Sequence, residues 1–479
     1  MRCMTQLTDP VAPHGRRTLA LTSLAVLAVF LDTTALFVAF PDIVRTFSSV
    51  TPAELSWVLN AYTITVAALL VPAGKVSDRL GHKRMFLTGT AIFTAASLAS
   101  AMAPNAPMLI TFRVVQAIGA AILTPSSLAL ILRAFAPAQL PAAIAIYGAS
   151  GAVAAALGPT LGGTVVEFLN WRWVFLINLP IGLTSLWLGR KYLTESRTVQ
   201  SPLPNPISVI TIAAAAALLS LAAVQSDAWG WTGPRTIAAF AAGLLLLVLF
   251  VIAQRRSSQP VLNLELFSNR NFAWGNAGVF AFGFAFSAMF LGSILFLTNV
   301  WGWSVLKAGF GVAPGPILVA LLAPGFGYLA GRIGQRPLLI VGGVAFALAG
   351  VWRLLLLTGD PDYLVAYLPS MFLTGLGVAL CLPQQTSVVV QSLPLDRLAV
   401  GSGVNQAARQ FAGTFGVAFT IALIGSATNL EQALAGFDQI WWMLIIGGIA
   451  TSILAIPLVT GAATIVSPVS LPARSGDTQ

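Results

Sequence analysis

Long apolar runs, each of about 20 residues and parted by short polar segments, recur along the whole 479-residue chain and leave few folds open to it. Inside lipid a backbone finds no water. Every N–H and C=O must then be paired within the protein, which for runs of this length means helices. About fourteen can be drawn, near 18–40, 53–74, 85–103, 108–132, 141–166, 173–189, 206–224, 236–254, 272–298, 305–330, 338–357, 363–390, 398–425 and 440–463. Charged residues make up 8% of the chain, against roughly 25% in a soluble protein, so a water-facing fold is excluded. The chain reads as an all-α polytopic membrane protein, with no soluble domain long enough to carry separate chemistry.

The runs divide six, two and six. The stretches at 190–206 and 255–271, polar and marked by Pro202, Pro204 and Pro260, set off the middle pair. The expected organisation is a tail at 1–17, a six-helix bundle at 18–189, a linker carrying two additional helices at 190–271, a second six-helix bundle at 272–463 and a tail at 464–479. With the N-terminus inside, 18 of the 25 Lys and Arg fall in cytoplasmic segments and 3 (Arg45, Arg172, Arg235) in outer loops. That asymmetry predicts a multi-pass protein of the cytoplasmic membrane with both termini in the cytoplasm. It also makes the net charge of +10 a property of loops rather than a surface for nucleic acid. The first run has a basic flank, Arg16-Arg17, but no small-residue cleavage site before Pro41, so it reads as a retained helix.

No enzyme site, metal or cofactor is expected. Cys3 and Cys381 make neither a disulfide framework nor a metal cluster, His14 and His82 both fall in cytoplasmic segments, and no Walker-type glycine loop is visible. Energy for transport would come from an ion gradient.

Among buried positions, Asp32 stands out. It lies deep in the first run, about nine residues or roughly 13 Å along the helix from Pro41. Intramembrane carboxylates usually face a bundle interior or water cavity and mark ion or substrate paths. Asp32 could load and release a proton as its surroundings alternate; a structural, hydrogen-bonded Asp is the other reading. Arg113 is its natural partner, with Gln116 one turn deeper on the same face of the fourth run. An arginine snorkelling at a helix end is the alternative there. The fifth run carries Gly151, Gly158, Pro159, Gly162 and Gly163, whose spacing suits close helix packing. The ninth offers Phe282, Phe284, Phe286, Met289 and Phe290, either a surface for an apolar guest or packing. The twelfth and thirteenth add Gln384, Gln385, Asn405, Gln406, Arg409 and Gln410, polar groups that need partners inside a bundle.

Between the second and third runs, Gly74 to Arg84 packs five charged residues into eleven. A degenerate copy, Gly327 to Pro337, follows 253 residues later in the same setting, which points to repeated halves and alternating access.

Taken together these motifs resemble the major facilitator superfamily, and in particular its fourteen-helix drug:proton antiporter branch, from about Leu31 to Gly416. The loop Gly74–Arg84 is similar to the superfamily signature, and Arg113 through Gly119 to its fourth-helix motif, whose arginine is implicated in proton coupling. Gly151 through Gly158-Pro159 to Gly162-Gly163 resembles the antiporter motif, which adds gating to packing. Leu31-Asp32-Thr33-Thr34 with Pro41, Trp57 through Tyr62, Trp171 through Pro180, and Gly403 through Gln410 are similar to motifs of the branch. Phe37 departs from the first-helix pattern, which commonly has Asn, and Gly331 replaces the aspartate in the second loop.

The resemblance implies two six-helix bundles plus two extra helices, rocking about a central cavity. It implies proton-coupled export of lipophilic organic compounds, with Asp32 as proton site and Arg113 and Gln116 tuning it. Gly74, Asp78, Arg79, Gly81 and Arg84 would form the cytoplasmic gate. Tyr62, Phe282, Phe286, Met289, Gln384, Asn405, Gln406 and Arg409 are the candidates for the cavity wall. Expected partners are protons, the lipid bilayer and neutral or monocationic small molecules, handled by a monomer, with no nucleic acid. A nutrient symporter of the same fold, or a receptor or scaffold that transports nothing, are the alternatives.

Overall fold

The computed structural model describes residues 13–135, 140–196, 205–230, 232–257, 260, 264–393, 398–424 and 429–459. The tail at 464–479 and most of that at 1–17 lie outside them. Fourteen long helices carry the described chain: α1 (Pro13–Thr46), α2 (Trp57–Leu80), α3 (His82–Ala101), α4 (Ala106–Ala134), α5 (Leu140–Phe168), α6 (Asn178–Tyr192), α7 (Pro206–Val224), α8 (Pro234–Arg256), α9 (Arg270–Leu295), α10 (Pro314–Ile333), α11 (Gln335–Leu356), α12 (Leu368–Gln391), α13 (Leu398–Ile424) and α14 (Leu430–Ala455). Among the described residues there is no strand, and eleven helical stretches are long and apolar enough to cross a membrane. The other three, α3, α5 and α6, pack on the helices of the first bundle and expose apolar side chains such as Leu98, Leu157 and Trp187.

Local chemistry sets the helix starts. Asn105, Asn269 and Asn429 each accept from the N–H three residues on, at 3.0, 3.2 and 2.9 Å, satisfying a donor that the first turn leaves open. The cap at Asn429 explains a difference from the expected last span at 440–463. α14 starts ten residues earlier, with Glu431, Gln432, Asp438 and Gln439 interspersed among apolar residues, and Asp438 is therefore an exposed residue inside the helix. The run at 305–330 is likewise two helices, Val305–Val312 and α10, because Pro314 has no N–H to continue the first and suits the start of the second.

Packing follows a two-fold plan. In the first half α1 packs on α4, α5 and α6, α2 on α4, and α3 on α4 and α6. In the second half α9 packs on α12, α13 and α14, α10 on α12, and α11 on α12 and α14, which is the same pattern. The halves meet reciprocally, α2 against α13 and α5 against α10 with its leading helix Val305–Val312. α7 packs on α8 and lies along the α2–α13 seam, while Leu244, Leu245 and Leu249 of α8 are exposed, as a lipid-facing helix requires. The repeated loops agree in backbone too. Gly81 and Gly334, 253 residues apart, both take positive φ (110° and 82°) immediately before α3 and α11.

The core is continuous at one end only. At the end away from the basic loop, Phe37, Phe40 and Ile43 of α1 share a cluster with Phe290 and Ile294 of α9, and Thr63 and Thr414 are linked between α2 and α13 at 2.5 Å. At the basic-loop end the cores are separate. Leu70, Phe86 and Leu123 belong to a cluster of the first half, and Phe272, Val389 and Val404 to one of the second.

Candidate functional site

Five elements of the first bundle converge on Asp32, which is 1% exposed. Arg113 Nη1 donates to Oδ2 at 2.5 Å, while Gln116 Nε2 and Asn178 Nδ2 donate to Oδ1 at 2.9 and 2.8 Å. Arg113 and Gln116 stand three residues apart on one face of α4, so the helix itself sets their spacing. Ile177, itself in right-handed helical geometry, joins the short helix Arg172–Leu176 to α6, and Asn178, the first residue of α6, is fully buried. Ser97 of α3 accepts from Gln116 Nε2 and Asn178 Nδ2 at 3.2 and 3.0 Å and donates to the Phe175 carbonyl at 2.9 Å.

Arg113 is as fully engaged as its partner. Nε donates to the Val58 carbonyl at 3.0 Å, Nη1 also reaches Gln116 Oε1 at 2.7 Å, and the guanidinium lies over the Tyr62 ring at 4.0 Å. Three donors converge on this one carboxylate, and one of them is the charged Arg113. The arrangement can hold a charge in an apolar bundle and release it only if Arg113 and Asp32 part. Asp32, Arg113 and Gln116 are thus brought together; Asn178 and Ser97 complete the knot. The second bundle holds a contrasting case. Arg353, fully buried, donates to Ser370 Oγ and Ser293 Oγ at 2.9 and 2.8 Å and stacks on Trp441, with hydroxyls where the first bundle has a carboxylate.

The basic loop is built around a carboxylate outside it. Glu195, past the end of α6, accepts from the N–H groups of Lys83 and Arg84, both at 3.1 Å, and lies 3.8 Å from Arg84 Nε. It caps α3 from the linker, a role that Gly81 leaves open. A Cβ at Gly81 would sit 2.5 Å from Glu195 Oε1. Lys75 reaches the Pro260 carbonyl, so the second linker also touches this loop. Burial pushes the half-buried Asp78 carboxyl up, against the pull of Arg133 and Lys75. His82 is pushed down to about 4, first by burial and then by Arg133. It is therefore neutral near pH 7, and its 3.7 Å approach to Asp78 is no charge pair there. The stability this neutral imidazole contributes is complete above its ordinary value of 6.5 and lost as pH falls through about 4. Gly74 lies against Pro125, and Arg79 is exposed. Glu195→Ala should uncap α3, costing about 1 kcal/mol, and speed trypsin cleavage after Arg79 or Lys83 several-fold; an unchanged digestion rate would make the cap irrelevant.

The glycine motif of α5 has two faces. Gly151 rests on Phe30 and Gly158 on Thr34 of α1, where Thr34 Oγ1 also donates to the Ala154 carbonyl at 3.1 Å, and Gly162 faces Ala35. Pro159 and Gly163 instead meet Gly309 of the other half backbone to backbone, a contact no larger residue at 309 would fit.

The cavity candidates separate by burial. Tyr62 belongs to the Asp32 knot, Phe282 packs on Phe346, and Met289, Gln384 and Asn405 are buried, the last bonded to Asn276 at 3.3 Å. All five are closed to solvent in this structure. Phe286, Gln406 and Arg409 are half-buried.

Comparison with known proteins follows the same lines. The Major Facilitator Superfamily profile matches residues 22–417. The chain is 34% identical over 424 residues to the multidrug resistance protein Stp of Mycobacterium tuberculosis, covering 87% of this chain and 78% of that protein. It is 30% identical over 410 residues to a tetracenomycin C resistance and export protein of Streptomyces glaucescens, covering 85% and 76%. A crystal structure of peptide transporter POT in complex with sulfate superposes with a TM-score of 0.63 at 17% identity over 92% of this chain and 94% of that one, a likeness of fold alone.

Proposed function

The chain belongs to the Major Facilitator Superfamily, and on that premise we propose that it is a proton-coupled antiporter exporting lipophilic organic compounds by alternating access. It is a multi-pass membrane transport protein rather than an enzyme, and its relatives include multidrug and antibiotic exporters. The observation that carries the reading is the buried Asp32–Arg113 pair at 2.5 Å. A protein that only scaffolds gains little from a desolvated ion pair in an apolar bundle.

In this mechanism the basic-loop end faces the cytoplasm, as the distribution of Lys and Arg suggests. Separate cores at that end and a shared core at the other correspond to a state open inward. Protonating Asp32 cancels the charge that holds Arg113, which keeps the Val58 carbonyl and Gln116 Oε1 as acceptors. α1 is then released from α4, and with it the Phe37–Phe290 contact to the second bundle, 5.5 Å between ring centres. The close approaches of Gly158 to Thr34 and of Gly309 to Pro159 are the pivots, the basic loop with Asp78 and Arg79 closes the cytoplasmic gate, and one chain suffices for the cycle.

All of Asp32's oxygens are engaged, so a cationic compound finds no spare carboxylate deep among the described residues. Of the sequence-based expectation of neutral or monocationic compounds, the monocationic class is the one this arrangement disfavours.

Cells carrying the chain should extrude lipophilic dyes and antibiotics faster than cells without it, and a protonophore should abolish the difference. Efflux that survives the protonophore would remove the proton from the account. Reporter fusions should place Gly233 outside and Ser257 inside; the reverse would overturn the orientation.

A further inference from the structure

We propose that Arg409 anchors an anionic group on the transported compound, so that amphipathic aromatic carboxylates are handled better than their neutral counterparts. The proposal rests on the export reading and adds a substrate class to it. The α13 backbone at Arg409 packs against Gly283 of α9, and the side chain crosses to α12, where Nη2 donates to Thr386 Oγ1 at 3.0 Å. Its Nε is sealed from solvent with no acceptor, and among the described residues no carboxylate pairs with it.

The two fully buried arginines show what a satisfied guanidinium looks like in this fold. Arg113 has Asp32, and Arg353 has two hydroxyls, a thioether and a Trp441 stack. A guanidinium carries five N–H donors and no acceptor, and Arg409 has one firm partner, so it is the interior cation with capacity to spare. Its position suits access. α12 packs on α9, α10, α11 and α13, and Pro383 and Thr386 stay exposed on the side where Arg409 reaches it. Gln406 and Gln410, half-buried on α13, are the neighbouring amides.

A surface for the apolar body lies beyond it. Phe286 stacks between Phe282 and Phe290 at 6.4 and 5.9 Å, and Phe290 meets Phe37 of the first bundle. Counting from the starts of α9 and α13, Phe286 sits about 8 Å deeper than Arg409 at 1.5 Å of rise per residue, a span that a drug-sized molecule covers. An aromatic body against the half-buried Phe286, which the two buried rings hold in place, with its acid toward Arg409 would satisfy unused donors. A charge-assisted hydrogen bond of this kind corresponds to roughly tenfold or more in affinity.

The test uses a matched pair, a diethylaminocoumarin carboxylate and its ethyl ester, with equilibrium binding to the full chain in nanodiscs followed by fluorescence anisotropy. The wild-type protein should bind the acid at least tenfold more tightly than the ester. Arg409→Gln should abolish that preference by weakening the acid alone, and Arg409→Lys should keep part of it. Equal binding of acid and ester by the wild type, no binding of either, or equal weakening of both by Arg409→Gln would overturn the assignment, the last marking a structural arginine that only reaches toward water. Neutral-dye efflux from cells separates this outcome from the larger one. If neutral dyes are exported while no acid preference exists, export stands and the anchor falls; if nothing is exported, the export reading itself fails.

Discussion

Asp32→Asn should reduce gradient-driven efflux to the level of membranes without the protein, while the chain still inserts and accumulates. The amide keeps the shape of the side chain and can accept from Gln116 or Asn178, but it carries no charge and takes up no proton. Its NH2 group also faces donors that previously met a carboxylate oxygen, a mismatch of about 1–3 kcal/mol that an inserted bundle can tolerate. Asp32→Glu, longer by one methylene but still ionisable, should retain measurable transport. Efflux at the wild-type rate in Asp32→Asn would mean that the knot is structural and that coupling lies elsewhere.

Arg113→Ala should be the most destabilising single change in the site. It leaves Asp32 buried with two neutral donors and no counter-charge, and breaking a buried pair by removing one partner costs about 3–5 kcal/mol. It also empties the space over Tyr62 and removes the side-chain donor to the Val58 carbonyl. Thermal unfolding of the purified protein, followed by intrinsic fluorescence, should show a marked drop in midpoint. The double change Asp32→Asn with Arg113→Gln removes both charges and should recover much of that loss without recovering transport. If the double variant were as unstable as Arg113→Ala alone, the cost would come from lost packing rather than an unpaired charge.

What could be read without coordinates follows from how rare each signal is. A carboxylate or guanidinium in an apolar run is conspicuous, so Asp32 and Arg113 were visible, and Gln116 followed from helical spacing. Asn178 and Ser97 were not distinguished by role, because neutral polar residues are common in such helices and only the fold shows which ones reach the carboxylate. Glu195 caps a helix more than 100 residues earlier in the chain, a contact that no local pattern announces. The apolar runs fell on long helices, with the one at 305–330 split at Pro314, yet the start of α14 was misplaced because Glu431, Gln432, Asp438 and Gln439 dilute the hydropathy of its first turns. The cavity residues were the least legible. Which face of α9, α12 or α13 turns inward depends on what packs against it, and composition is the same on both sides.

The most direct test of proton-coupled export is a transport measurement with the purified chain in proteoliposomes under an imposed pH difference and no ATP. Vesicles loaded with a pH-reporting dye should show accumulation of a lipophilic antibiotic or dye against its gradient, with protons moving the opposite way in step, and Asp32→Asn vesicles should show neither movement. Accumulation that is indifferent to the pH difference, or that proceeds with no counterflow of protons, would contradict the account.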